Sequence, residues 1–144
     1  MSYHIVKPPS IWKALLIGNS IYDNPKIGAN LLQVKNDIEA VYKICIELLN
    51  LKESDIKVLN DKTTEEIEAE YEEFIELPAR KADREKKFGQ YFIYYSGHGR
   101  IEGAYNMGID KNDNDINLDK MVIDIACRKN QTVIAFFDCC RLIQ

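Results

Sequence analysis

Four short, almost uninterrupted apolar runs limit the architecture of this chain more than any other feature: Trp12 to Gly18 (WKALLIG), Asp55 to Leu59 (DIKVL), Gly89 to Tyr95 (GQYFIYY) and Thr132 to Phe137 (TVIAFF). Runs of this length, rich in β-branched and aromatic residues, read as strands covered on both faces, the habit of parallel sheets. Between them, apolar residues recur at helical spacing. Val34, Ile38, Tyr42, Cys45 and Leu49 make one stripe, Ile67, Tyr71, Phe74 and Ile75 a second, and Leu118, Met121, Val122, Ile125 and Ala126 a third. Asn30 with Gln33, the capping box at Thr63-Thr64-Glu65-Glu66, and Asn117 mark the expected helix starts, and Pro78 is expected to end the second helix. The order β-α-β-α-β-α-β predicts an α/β fold, with a mostly parallel sheet of about four strands and helices on both faces.

Length agrees with one domain: 144 residues, 46% of them apolar, can build a single core. Residues 1–10 are expected to be a tail kept irregular by Pro8-Pro9, and residues 11–144 the domain. Arg80 to Lys87 is basic but interrupted by Asp83 and Glu85, so it reads as a solvated connector. Arg100 to Asp115 has room for a small hairpin and a polar loop. A net charge of −4 without a basic face argues against nucleic acid as a partner. No apolar stretch approaches the ~20 residues that span a bilayer, and the N-terminus lacks a signal-peptide core, so no membrane and a cytoplasmic location are expected. The four cysteines match no zinc spacing and form no C-x-x-C, so they read as reduced thiols. Cys45 lies on the first helical stripe and Cys127 at the edge of the third, where packing explains both.

In open α/β sheets, sites form beyond the carboxyl ends of the strands. Two of those ends hold residues suited to covalent catalysis: His98, in Ser96-Gly97-His98-Gly99, and Cys140, in Asp138-Cys139-Cys140-Arg141. A histidine between glycines is by itself often a turn residue, and a cysteine after an apolar strand is usually a small buried hydrophobe. Together they offer a thiol and a base that makes it a thiolate and later protonates a leaving amine. The glycines around His98 leave backbone N–H groups unobstructed for an oxyanion.

Tyr94-Tyr95-Ser96-Gly97-His98-Gly99, followed about forty residues later by Phe137-Asp138-Cys139-Cys140-Arg141, resembles the caspase-like cysteine peptidases (peptidase C14). Ala14 to Ser20, Tyr22 and Asn36-Asp37 fit the same pattern, and the likeness runs from about Trp12 to Arg141. Within the superfamily the chain looks closer to paracaspases and metacaspases than to aspartate-specific caspases, because Asp138 stands two residues before the nucleophile and Leu142 replaces the caspase glycine. The resemblance implies a caspase-like three-layer sandwich and a cysteine endopeptidase that cuts peptides or proteins after Arg or Lys. It implies that Cys140 is the nucleophile, with His98 as base and acid, and makes Cys139 a packing residue. It gives the oxyanion to the backbone N–H groups of Gly99 and Cys140, and the basic side chain of the substrate to Asp138 and Asp37. No cofactor and no metal are expected.

Two other sites fail on their residues. Asp110 to Asp115 opens like a calcium loop, but Asp115 replaces the sixth-position glycine and Met121 the final glutamate. Gly18-Asn19-Ser20 belongs to no phosphate-loop pattern, which also disfavours a flavodoxin-like ligand-binding domain. Caspase-like domains continue past the nucleophile, whereas this sequence stops at Gln144. The expectation is therefore a large-subunit domain truncated after the nucleophile, needing a small-subunit segment or a homodimer partner. The alternative is a non-catalytic caspase-like binding or regulatory module.

Overall fold

A computed structural model describes residues 8–141, except for the side chains of residues 140 and 141. Most of the expected tail and the side chain of Cys140 therefore lie outside the described residues. The elements are β1 (Ile11–Gly18), α1 (Val34–Glu47), a 3₁₀ turn (Glu53–Asp55), β2 (Ile56–Asn60), α2 (Thr64–Tyr71), a π-helical turn (Glu72–Glu76), α3 (Leu77–Arg84), β3 (Gly89–Glu102), β4 (Tyr105–Ile109), β5 (Asp115–Asn117), α4 (Leu118–Ala126) and β6 (Gln131–Arg141).

One mixed sheet runs in the order β2-β1-β3-β4-β5, with β6 also paired to β3. The four long apolar runs are its parallel part, since β1 lies between β2 and β3 and β3 lies between β1 and β6. The other two strands, β4 and β5, are antiparallel additions from the expected hairpin region. Strand side chains alternate between faces, and this decides the two cores. Leu15 and Ile17 of β1, with Tyr91, Ile93 and Tyr95 of β3, pack under α2, α3 and α4 through Ile67, Ala79 and Leu118. Ala14, Leu16, Phe92 and Tyr94 pack on the other face against Val34, Ile38 and Cys45 of α1.

Several expectations change. The second helix does not end at Pro78. The chain stays helical to Arg84, with the π-turn just before the proline, where a widened turn accommodates the backbone bond that proline cannot make. The basic run is thus largely helix, not connector, and α3 buries Ala79 and Ala82. Gln33 rather than Asn30 caps α1, without a side-chain bond, because the Asn30 amide oxygen accepts the N–H of Tyr22. Thr63 and Asn117 cap as expected, accepting from Glu66 and Lys120. Cys45 is buried but Cys127 is exposed, past the end of its stripe.

The last strand is covered on one face only. Val133, Ala135, Phe137 and Cys139 pack on the core under α2, α3 and α4, while Ile134 and Phe136 are 41% and 59% exposed. Among the described residues β6 pairs only with β3. No helix among them is long and apolar enough to cross a membrane.

Candidate active site

Serine, glycine and histidine do not stop β3. It continues through Ser96-Gly97-His98-Gly99 to Glu102, because β6 pairs with it from Gly89 to Gly99 and β4 from Gly99 to Glu102. His98 therefore sits inside a strand, and the Cα atoms of His98 and Cys140 are direct partners across β3 and β6. Sequence reasoning put each residue just past the end of an apolar strand; both strands run on, and the register sets the two Cα atoms opposite each other. Cys139, one residue earlier, packs on the core cluster.

His98 is 6% exposed. Its Nε2 lies 2.9 Å from the carbonyl oxygen of Ala29. A carbonyl can only accept, so Nε2 carries a proton, and in the neutral form of the ring the lone pair is on Nδ1. That Nδ1 is buried and has no hydrogen-bond partner among the described residues. The ring also packs on Tyr22, with centroids 4.5 Å apart.

Ala29 reaches His98 because the loop after β1 is tied down along its length. Asn19 donates its backbone N–H to Ser96 and its side-chain amide to Ile109. The Asp61 carboxylate accepts from the N–H groups of Ser20 and Ile21 and from the Ser20 hydroxyl. Leu31 closes the loop by donating to the Ser20 carbonyl.

The glycines beside His98 are required by their neighbours. A Cβ at Gly97 would fall 2.6 and 2.8 Å from the hydroxyl oxygens of Tyr95 and Tyr22, and one at Gly99 would fall 2.9 Å from Cys139 and from the Met107 carbonyl. Side chains larger than hydrogen do not fit either gap.

On the α1 face of the sheet, the Cα of Asp138 is registered opposite Ser96, and the Ser96 hydroxyl donates to Asp37 on the first turn of α1 at 3.3 Å. Burial raises the pKa of the Tyr94 hydroxyl; a bond with Ser96 lowers it again, and the negative charges of Asp138 and Asp37 raise it further. Both carboxylates are thus gathered around Tyr94 and Ser96, two residues along the strands from the His98–Cys140 pair. An open apolar groove of about 750 Å³ is lined by Trp12, Ile44, Phe92, Phe136 and Asp138 among others. Sequence reasoning missed Ala29, Tyr22, Tyr95 and Ser96 as parts of this corner. The tyrosines and the serine stood in the quoted motifs, but nothing in a motif tells that a hydroxyl or a loop carbonyl will meet the histidine.

The caspase domain family, peptidase C14, matches residues 12–143. The chain belongs to that family. Its sheet, with parallel strands and helices on both faces, is consistent with the caspase fold, and the family is one of peptidases. No curated protein matches the chain.

Two further ionic groups, Arg100 and Asp110, serve the fold. Arg100 pins the hairpin region through Asp115 at 2.6 Å and Asp113 at 3.3 Å. Asp110, in the loop that opens like a calcium site, spends its oxygens on the N–H groups of Asn112, Asn114 and Thr64 and on the Thr64 hydroxyl. Among the described residues no group of three or more His, Cys, Asp or Glu side chains is placed to hold a metal ion.

Proposed function

We propose that this chain is a cysteine endopeptidase with a Cys140–His98 dyad, cleaving peptides or proteins after Arg or Lys. One observation carries the reading. A buried imidazole is locked by the Ala29 carbonyl into the tautomer with a bare Nδ1, in direct register with a cysteine on the neighbouring strand. A general base needs an orienting group on its far nitrogen and an open near one.

In this mechanism the Cys140 thiol gives its proton to Nδ1 of His98, and the thiolate attacks the carbonyl carbon of the scissile bond. The oxyanion is held by the backbone N–H groups of Gly99 and Cys140. As the intermediate collapses, the C–N bond breaks and the imidazolium hands its proton to the departing amine, leaving a thioester on Cys140. A water molecule, deprotonated by His98, attacks that thioester, and the acid leaves as the thiol is re-formed. The carboxylates of Asp138 and Asp37, gathered near Ser96, favour a guanidinium or ammonium group on the residue before the cut.

The test is selective labelling. An electrophilic peptide probe ending in Arg is expected to modify Cys140 well before Cys45, Cys127 or Cys139, and His98→Ala is expected to abolish that selectivity. Peptide mapping by mass spectrometry reads both. Equal labelling of Cys139 and Cys140, unchanged by His98→Ala, would overturn the dyad.

A further inference from the structure

The edge of β3 opposite β6 is interrupted at one place. Pairing with β1 ends at Ser96, and pairing with β4 begins at Gly99. Among the described residues, residue 98 therefore has no strand to receive its N–H and C=O on that edge, and buried backbone groups must find partners. Two tyrosine hydroxyls fill the gap. The His98 N–H donates to Tyr22 Oη at 2.7 Å, and Tyr22 donates its own proton to the Asn19 carbonyl at 3.0 Å. Tyr95 Oη donates to the His98 carbonyl at 2.6 Å and accepts the Ile109 N–H at 3.2 Å.

We propose that Tyr22 and Tyr95 are positioning residues for His98: they hold both peptide groups of the histidine residue and so keep its imidazole in register with Cys140. This rests on the dyad reading above. Each hydroxyl has one proton and uses it once, so both can be satisfied together. Gly97 leaves the space that both hydroxyls occupy, and Gly108 leaves room for the Tyr95 ring, which a Cβ would approach to 2.7 Å. Tyr22 adds its ring face to the imidazole. The His98 residue is thus held at three points, N–H, C=O and Nε2, which leaves Nδ1 for chemistry. A small misplacement of a reacting group is costly in rate. Burial pushes the Tyr22 hydroxyl up to about 12 and that of Tyr95 well above its ordinary value, so neither ionises in the range where a thiol and an imidazole exchange a proton.

The test uses the full chain with Tyr22→Phe, Tyr95→Phe and His98→Ala. Alkylation of Cys140 by iodoacetamide, which needs no substrate pocket, is followed across pH by mass spectrometry. The His98 tautomer is read from imidazole ¹⁵N shifts, and with only two histidines in the chain assignment is simple. Each Phe variant is expected to slow alkylation near pH 6 about three- to tenfold, the range for one lost hydrogen bond. Its alkylation midpoint should move up toward that of an ordinary thiol, with partial loss of the Nε2–H tautomer. Phe variants that melt earlier but keep the wild-type midpoint and tautomer, while His98→Ala shifts the midpoint, would overturn the clamp and leave the dyad standing. An alkylation profile unchanged even in His98→Ala would instead overturn the dyad, and the tautomer signal would still decide the clamp. If Tyr95→Phe does not fold, Tyr22→Phe decides alone, because its ring contact survives the substitution.

Discussion

Asp110 shows what one buried carboxylate does for the frame around the site. Burial opposes its ionisation, yet donations from Asn114, Thr64 and Asn112 outweigh that and hold its carboxyl below the usual range. It joins the start of α2 to the loop after β4 across 46 residues of sequence. An Asp110→Asn side chain turns one oxygen into a donor facing donors, so the variant is expected to lose about 2–3 kcal/mol at neutral pH. A depressed folded-state pKa gives stability that is full above the unfolded value, roughly 3.9, and is lost as pH falls through the folded value. The gap between wild type and variant should therefore shrink below about pH 4, and urea melts at pH 7 and pH 3 check this. An equal gap at both would remove the ionic account. The candidate dyad was legible at this scale, because His98 and Cys140 each follow an apolar run at a sheet's exit. Their partners were not. The Ala29 carbonyl carries no residue-type signal, and Tyr22 meets His98 only once the chain has folded 76 residues back on itself.

At the scale of elements, β3 was legible as a strand and misjudged in length. Ser96-Gly97-His98-Gly99 looks like a turn because glycine is common in turns. Here the glycines serve close approach, and the strand continues where β4 takes over from β1. The helix from Thr64 to Arg84 was also cut short on paper: Pro78 signals an end, and the inward face beyond it consists of two alanines, too small to read as a stripe. β6 looked buried on both sides, because its sequence does not show that α1 leaves Ile134 and Phe136 uncovered. Gly99 is where β3, β4 and β6 meet. Because the Met107 carbonyl is backbone and cannot swing aside, Gly99→Ala is expected to cost about 1–3 kcal/mol, as overpacking does, and to lower the urea midpoint by the matching amount. Gly103→Ala offers a contrast, since its φ of +62° strains the backbone but a Cβ there meets nothing. If Gly99→Ala left the midpoint unchanged, the crowding at this junction would be unimportant.

For the whole molecule, the sheet decides what kind of substrate could be read. It sets Asp138 on β6 across from Ser96 on β3, and α1 brings Asp37 to the same serine, so two carboxylates from distant parts of the sequence share one corner of a protein of net charge −4. A cationic side chain entering that corner gains charge-assisted bonds; a neutral one leaves the carboxylates unpaired, and an acidic one adds repulsion. Asp138 is exposed here, so its contribution falls below the 2–5 kcal/mol of a fully buried pair. On the proposed peptidase reading, Asp138→Asn is therefore expected to lower kcat/KM for Arg substrates about three- to thirtyfold, while iodoacetamide still alkylates Cys140 at the wild-type rate. Arg should be preferred to Lys, because its planar fork can engage two carboxylate oxygens at once. Raising the salt concentration should narrow the preference for Arg over a neutral residue, since exposed charges are screened over ~10 Å at 0.1 M. A peptide panel varying only the residue before the cut, run at low and high salt, measures all three. A preference for Asp at that position would overturn the acidic-corner reading and leave the His98–Cys140 pairing untouched, because the two rest on different residues of the same strands.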